Sequence, residues 1–183
     1  GAEIKIISEE GLETPSDVQG TVFMKLGEAT KFEYKGDQAK TKKERLVIDD
    51  QVYFTVGDIG YLNKEGYLFL CDRKIDMIIS GGANIYPAEI ESVLLMHSQV
   101  ADAAVFGIPN EEFGEEVKAV VQPVDFESAD QALAAELMNY AREKLSHIKC
   151  PRSVDFIAEL PRHPTGKLYK RLLKDKYWDA AIK

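Results

Sequence analysis

Near the end of the chain, in "ELPRHPTGKLYKRLLK", Lys167 follows Gly166 among turn-forming residues. A glycine-lysine pair suggests phosphate chemistry, but a Walker A loop needs a second glycine five residues upstream and Ser or Thr after the lysine. Those positions hold Pro161 and Leu168, so the phosphate-loop reading fails. What remains is a lysine on a loop stiffened by Pro161 and Pro164, with Gly166 as a pivot. Such a loop could carry an ammonium group to a transition state that gathers negative charge. The plainer alternative is a solvated lysine at a helix start, where the helix dipole slightly disfavours a cation.

Other candidates lie upstream. Asp58 stands in "TVGDIG", where glycines permit a tight turn. Its carboxylate could accept two hydroxyl hydrogen bonds from a sugar, or it could satisfy its own turn backbone. Arg73 ends an apolar hairpin; it grips a ligand or pairs with Asp72 or Asp76. Gly81 and Gly82, in "SGGANIYP", could let a narrow ligand pass close to the backbone, or could serve a turn alone. His97, His147 and His163 are scattered and suggest no metal site; His97 reads as helix-end packing and His147 as a near-cap residue. Cys71 and Cys150 match no metal or redox spacing, which points to free thiols in a reducing compartment. No metal ligand is assigned.

The elements that position these residues change character near Arg73. Upstream, "AEIKII", "TVFMKL", "QVYF", "IGYLN" and "YLFLCD" have strand periods, and Lys64-Glu65-Gly66 is a hairpin turn. The stretch "GEATKFEYKGDQAKTKKERLV" is polar and weakly patterned, read as loop with a short helix or irregular edge. Downstream come a strand "KIDMIIS", a glycine loop "GGANIY" and a helix over "PAEIESVLLMHSQV" with Pro87 in its first turn. Ile90, Val93 and Leu94 form its buried stripe. Strands "VADAAVFGIP" and "VKAVVQPV", a helix "DQALAAELMNYAREKLS", a strand "SVDFIAEL" and a last helix "KLYKRLLKDKYW" complete the order. The expected fold is α+β: residues 1–72 a β-rich, partial β-barrel subdomain, and residues 73–183 a small three-stranded α+β domain.

Composition narrows the function class. With 45% hydrophobic and 30% charged residues, the 183-residue chain reads as an ordinary globular protein. A net charge of -8 argues against a broad nucleic-acid footprint. No apolar run is long enough for a membrane span, and "GAEIKIISEEG" lacks the basic start and apolar core of a signal peptide. Cytoplasmic localisation is the expectation. The opening, a strand pattern directly after Gly1, suggests a chain cut from something longer.

Taken in order, "YFTVGDIGYLNKEGYLFLCDRKIDMIISGGANIYPAEIE", "VADAAVFGIPNEEFGEEVKAVV" and "ELPRHPTGKLYKRLLK" closely resemble the adenylate-forming (ANL) superfamily. Within it the chain looks most like the C-terminal part of an acyl-CoA synthetase or fatty-acid CoA ligase, and the resemblance covers nearly the whole sequence. It implies the end of a large domain, up to about Asp72, followed by a complete mobile small domain. It also implies a two-step reaction: a carboxylic acid and ATP form acyl-adenylate and pyrophosphate, then the CoA thiol displaces AMP. By motif, Asp58 resembles the aspartate that binds both ribose hydroxyls, and Arg73 the arginine that contacts the ribose at the hinge. Lys167 resembles the lysine that orients the carboxylate and stabilises charge in adenylation. Gly81 and Gly82 resemble the loop lining the pantetheine tunnel in the thioester-forming pose. ATP, CoA and Mg2+ are implied, with Mg2+ and most ATP contacts expected outside this sequence, so that the segment alone should not complete the reaction.

The chain departs from the family pattern at Val56, where threonine is usual before the glycine-aspartate pair, with Thr55 one step earlier. It departs again at Ile75, where the hinge usually carries aspartate or lysine. Two alternatives stay open: an adenylation enzyme that loads a carrier-protein thiol, and a non-catalytic module of the same fold. The acid substrate is not legible, nor is the oligomeric state, although apolar surface that once met a large domain would favour self-association.

Overall fold

Short alternating runs between Glu3 and Arg73 pair into one antiparallel sheet in the computed structural model, which describes residues 3–25 and 44–181. Its strands are β1 (Glu3–Ile7), β2 (Gly20–Lys25), β3 (Arg45–Ile48), β4 (Gln51–Phe54), β5 (Asp58–Leu62) and β6 (Leu68–Arg73). They follow the order β3-β4-β2-β5-β6, with β1 also paired to β2. Because side chains alternate across a strand, one face collects Ile7, Phe23 and Tyr53, with Leu46 and Ile48 packed against them. The expected hairpin joins β5 to β6. Asn63 Oδ1 accepts from the N–H groups of Glu65 (3.1 Å) and Tyr67 (2.8 Å), which closes the turn. Strand β3 falls at the end of the weakly patterned stretch. The loop or short helix expected over most of that stretch, residues 27–43, lies outside the described residues.

Two compact units make up the chain, Gly1–Ile75 and Asp76–Lys183. The second contains β7 (Ile78–Ser80), β8 (Ala83–Ile85), α1 (Pro87–Leu94), β9 (Val100–Asn110), β10 (Gly114–Pro123), α2 (Gln131–Lys144), β11 (Ser153–Phe156) and α3 (Lys170–Ala181). Strand β10 is its spine. It pairs antiparallel with β9 along its length, parallel with β11 from Lys118 to Val121, and with β7 through Gly114 and Ser80. Successive residues of β9 are buried on opposite faces. Ala103 and Val105 join the core formed with Ile90, Leu94, Leu133 and Leu137, whereas Ala104 and Phe106 join Leu160 and Leu173. Helices α1 and α2 therefore cover one face and α3 the other, which is why this strand reads as a continuous apolar run. Asp130 caps α2, its carboxylate accepting from Leu133 N–H at 2.8 Å. His97 packs edge-on to Tyr140, as helix-end packing requires.

The α+β class and the β-rich first unit agree with expectation, while several local boundaries are corrected. The second sheet has five strands rather than three: all four strand runs read downstream of Arg73 contribute to it, and Ala83–Ile85 of the "GGANIY" segment adds a fifth by pairing with Ile78–Ser80 as a hairpin. "KIDMIIS" is not one strand; Lys74–Asp76 forms a 3-10 turn before β7. Helix α1 stops at Leu94, with turns leading to β9. The last helix begins only at Lys170. No described helix is long and apolar enough to cross a membrane.

Candidate functional site

Asp58 opens β5 and Arg73 closes β6, and the ladder register sets them opposite each other. Arg73 Nε lies 3.6 Å from Asp58 Oδ1. Arg73, read as gripping a ligand or pairing with Asp72 or Asp76, sets its guanidinium against Asp58, a residue that only strand register brings near. Asp72 accepts from the backbone N–H of Arg73 at 2.7 Å. The Asp58 carboxylate keeps 27% of its surface exposed, enough for a hydroxyl-bearing ligand to reach it. The turn before it is shaped by Thr55, which is buried and whose Oγ1 accepts from Gly57 N–H at 3.0 Å. A threonine hydroxyl therefore serves this turn even though Val56 precedes the glycine. The 3-10 turn that follows Arg73 places Ile75 almost fully in solvent, at the last position of the first unit.

In the second unit Gly81 and Gly82 are the two central residues of the β7–β8 hairpin, with φ of +56° and +80°. Positive φ at both positions is what a two-residue hairpin turn of matching twist requires, and glycine adopts it without strain. Gly81 N–H donates to Phe113 O at 2.9 Å, and a β-carbon on Gly81 would sit 3.2 Å from the Phe113 ring. Next to the turn, Glu115 accepts from Ile79 N–H at 2.8 Å. The glycine turn is thus pinned to the start of β10.

Lys167 is not at a helix start. It sits three residues before α3, on the return arm of a tight loop in which His163 N–H donates to Lys167 O and Gly166 N–H to His163 O, both at 2.8 Å. Arg162 and Leu168 pair as an antiparallel bridge, and Tyr169 N–H donates to Pro161 O at 2.8 Å. The rings of His163 and Tyr169 stack at 4.0 Å across the neck. Lys167 itself is exposed. The first turn of α3 is also tethered: Lys170 Nζ lies 2.7 Å from Glu91 Oε1, an oxygen that also accepts from Val105 N–H.

Further back, Asp155 holds α3 on the sheet. It pairs with Lys118 at 2.7 Å and accepts from Tyr177 Oη at 2.6 Å. Partial burial raises its pKa, but the hydrogen bonds from Lys118 and Tyr177 and the Lys118 charge outweigh that and hold the carboxyl below its usual range. Burial, then the hydrogen bond and charge of Asp155, push the Tyr177 phenol upward.

The structure brings Asp58 and Arg73 together in the first unit and places Lys167 and the glycine turn in the second. The sequence points to Thr55, one step before Val56, but not to Glu115, Asp102 or Arg162. Asp102 had a signal: a carboxylate inside the apolar run "VADAAVF" needs a partner. The resemblance implies Mg2+, yet no cluster of three or more His, Cys, Asp or Glu suited to a metal occurs among the described residues, so none is assigned to it.

A family model for the AMP-binding enzyme C-terminal domain matches residues 89–167. Long-chain-fatty-acid–CoA ligase FadD13 of Mycobacterium tuberculosis is 43% identical over 128 residues, which cover 70% of this chain and 25% of that protein. Fatty acid–[acyl-carrier-protein] ligase ScoC of Streptomyces coeruleorubidus is 38% identical over 184 residues, covering 100% of this chain and 34% of that one. Among solved structures, the ATP-bound RpMatB-BxBclM chimera B1 superposes with a TM-score of 0.87 at 35% identity, over 98% of this chain and 35% of its own. The chain thus spans 25% to 35% of the length of these proteins. With the family model ending on Lys167 and the similarity running over both halves of the sequence, the chain belongs to the adenylate-forming superfamily and carries its AMP-binding enzyme C-terminal domain.

Proposed function

We propose that this chain is the C-terminal part of an ATP-dependent acid–CoA ligase, comprising the last portion of a large adenylation domain and a mobile C-terminal domain. The observation that carries the proposal is the placement of two candidate working surfaces on one rigid ladder. The glycine turn is pinned beside Gly114, at one end of the β9–β10 pair, while Asp102, which pairs with Arg162 of the lysine loop, faces Gln122 near the other. Gln122 lies eight residues along the strand from Gly114, about 26 Å at roughly 3.3 Å per residue. Tethers that far apart on one body cannot serve one reaction centre at once, so successive use calls for a rotation of the domain.

In the first step the acid carboxylate attacks the α-phosphorus of ATP, an acyl–oxygen–phosphorus linkage forms and pyrophosphate leaves. Asp58 accepts hydrogen bonds from the ribose hydroxyls, and Arg73 holds that carboxylate while contacting the ribose. Lys167 brings its ammonium to the reacting carboxylate and the phosphoryl oxygens. In the second step the thiol sulfur bonds to the acyl carbon, the bond to AMP breaks, and the thiol proton is lost to solvent. The turn at Gly81 and Gly82 lets the pantetheine arm approach the backbone. Mg2+, where bound, neutralises phosphate charge.

A carrier-protein thiol as acceptor is the second reading, supported by the similarity to ScoC along the whole chain. Full-length enzyme, wild type and Lys167→Ala, decides between them. Acid-dependent pyrophosphate release with ATP is measured over a panel of carboxylic acids, and product formation from synthetic acyl-adenylate is measured with CoA, a pantetheinylated carrier protein or an amine. Loss of the first activity with survival of CoA thioester formation in the variant is the expected result. Undiminished pyrophosphate release would remove the role of Lys167, and transfer only to the carrier or the amine would replace CoA as acceptor.

A further inference from the structure

We propose that Arg162 is a positioning residue for Lys167, anchored on Asp102; the inference rests on the role proposed above for the lysine. Arg162 has one guanidinium nitrogen on each side of the problem. Nη1 donates to Gly166 O at 2.7 Å, and Nη2 forms an ion pair with Asp102 Oδ2. Gly166 is the residue immediately before Lys167 and has a φ of +82°. Holding its carbonyl fixes the peptide plane from which Lys167 departs. The planar fork suits this task, since it makes two directed bonds with little further loss of freedom.

Asp102 is a firm anchor. Its side chain is 20% exposed, and its other oxygen accepts from Ala103 N–H at 2.9 Å within β9. The bridge between Arg162 and Leu168 makes the stem of the loop, and the Lys170–Glu91 pair fixes the far side. The lysine loop is therefore clamped to β9 before Lys167 and to α1 after it, and Lys167 extends beyond the clamp into solvent. A lysine carried on a rotating domain must arrive with its ammonium already aimed. A free loop of proline, threonine and glycine would lose that alignment, and a misplacement of 1 Å costs on the order of 10²-fold in rate.

The test uses full-length enzyme and two readouts: acid-dependent pyrophosphate release, and thioester formation from synthetic acyl-adenylate. Arg162→Ala is expected to lower kcat of the first by roughly 10²-fold, with KM for ATP and the thioester step near wild type. Arg162→Lys keeps the charge but not both bonds, and should fall between. Asp102→Asn should show the same half-reaction bias more weakly, and it supplies the answer should Arg162→Ala not fold. Since Arg162 acts through Lys167, the double variant Arg162→Ala/Lys167→Ala should be no slower than Lys167→Ala. Equal losses in both half-reactions, or additive losses in the double variant, would overturn the proposal in favour of a general stability role. Should Lys167→Ala be impaired while Arg162→Ala and Asp102→Asn are not, only the positioning inference falls. Should Lys167→Ala itself be unimpaired, the proposed lysine role falls and this inference with it.

Discussion

Arg73 and Asp58 occupy facing positions of the β5–β6 ladder, with Nε 3.6 Å from Oδ1. The pair joins a residue just after the Gly57 turn to one at the boundary between the two units. With the arginine side chain 54% exposed, the pair adds little to folding, about 0–1 kcal/mol. Its value is directional: the guanidinium holds the carboxylate in place while leaving room for a ligand. Asp58→Asn in the full-length enzyme should weaken AMP binding by about 1.5–3 kcal/mol, or roughly tenfold to a hundredfold, as charge-assisted hydrogen bonds are lost. Arg73→Ala should weaken it less, and the melting temperature should barely move in either variant. Calorimetric titration with AMP checks this; unchanged affinity in Asp58→Asn would detach the residue from the ribose.

In the proposed function, Gly81 and Gly82 tie the second half-reaction to backbone conformation. Alanine at Gly82 meets no atom within 4 Å but must adopt a φ of +80°, whereas alanine at Gly81 also presses on Phe113 at 3.2 Å. Either change should cost about 1–2 kcal/mol of stability. Both should slow thioester formation from synthetic acyl-adenylate more than pyrophosphate release. That order of effects mirrors the one expected for Lys167→Ala, and measuring both half-reactions on all three variants tests the division of labour.

Asp155 is expected to make stability acid-sensitive. Lys118 is 5% exposed, and without Asp155 its charge would stay nearly buried and unpaired. Asp155→Asn should cost about 1–3 kcal/mol near pH 7, between the values for exposed and buried pairs because the carboxylate is half-exposed. Its folded pKa lies below the ordinary value of 3.8. The stabilisation is therefore fully present above that value and fades as pH falls below it and through the lower folded pKa. Denaturant titrations of wild type and Asp155→Asn at pH 7, 4 and 3 should converge as the acid side is approached. A constant difference across that range would dissociate the linkage from Asp155.

Much of the architecture was legible because periodicity is a local property. The alternation in "AEIKII", the stripe of Ile90, Val93 and Leu94, and the helical run of α2 each needed only neighbours a few residues away. Misreadings fell where a local pattern admits two outcomes. "GGANIY" is as good a loop as a hairpin until Ile85 finds Ile78 across the ladder, and "KLYK" resembles a helix start until Leu168 is drawn into a bridge with Arg162. Strand β3 closes a stretch too polar to show a period, and only pairing with β4 makes it a strand.

The candidate site divides the same way. Motif order by itself picked out Asp58, Arg73, Gly81, Gly82 and Lys167, since chemistry constrains residue type and spacing along the chain. Which groups hold them was decided by tertiary structure. The Arg73 guanidinium pairs with Asp58 across the ladder, and Arg162 meets Asp102 across 60 residues of sequence. Glu115 reaches the backbone of Ile79 in the same manner. Ion pairs and hydrogen bonds depend on distances of a few ångströms, and those distances are set by strand register and packing between remote segments, a three-dimensional outcome that no local pattern of residues encodes.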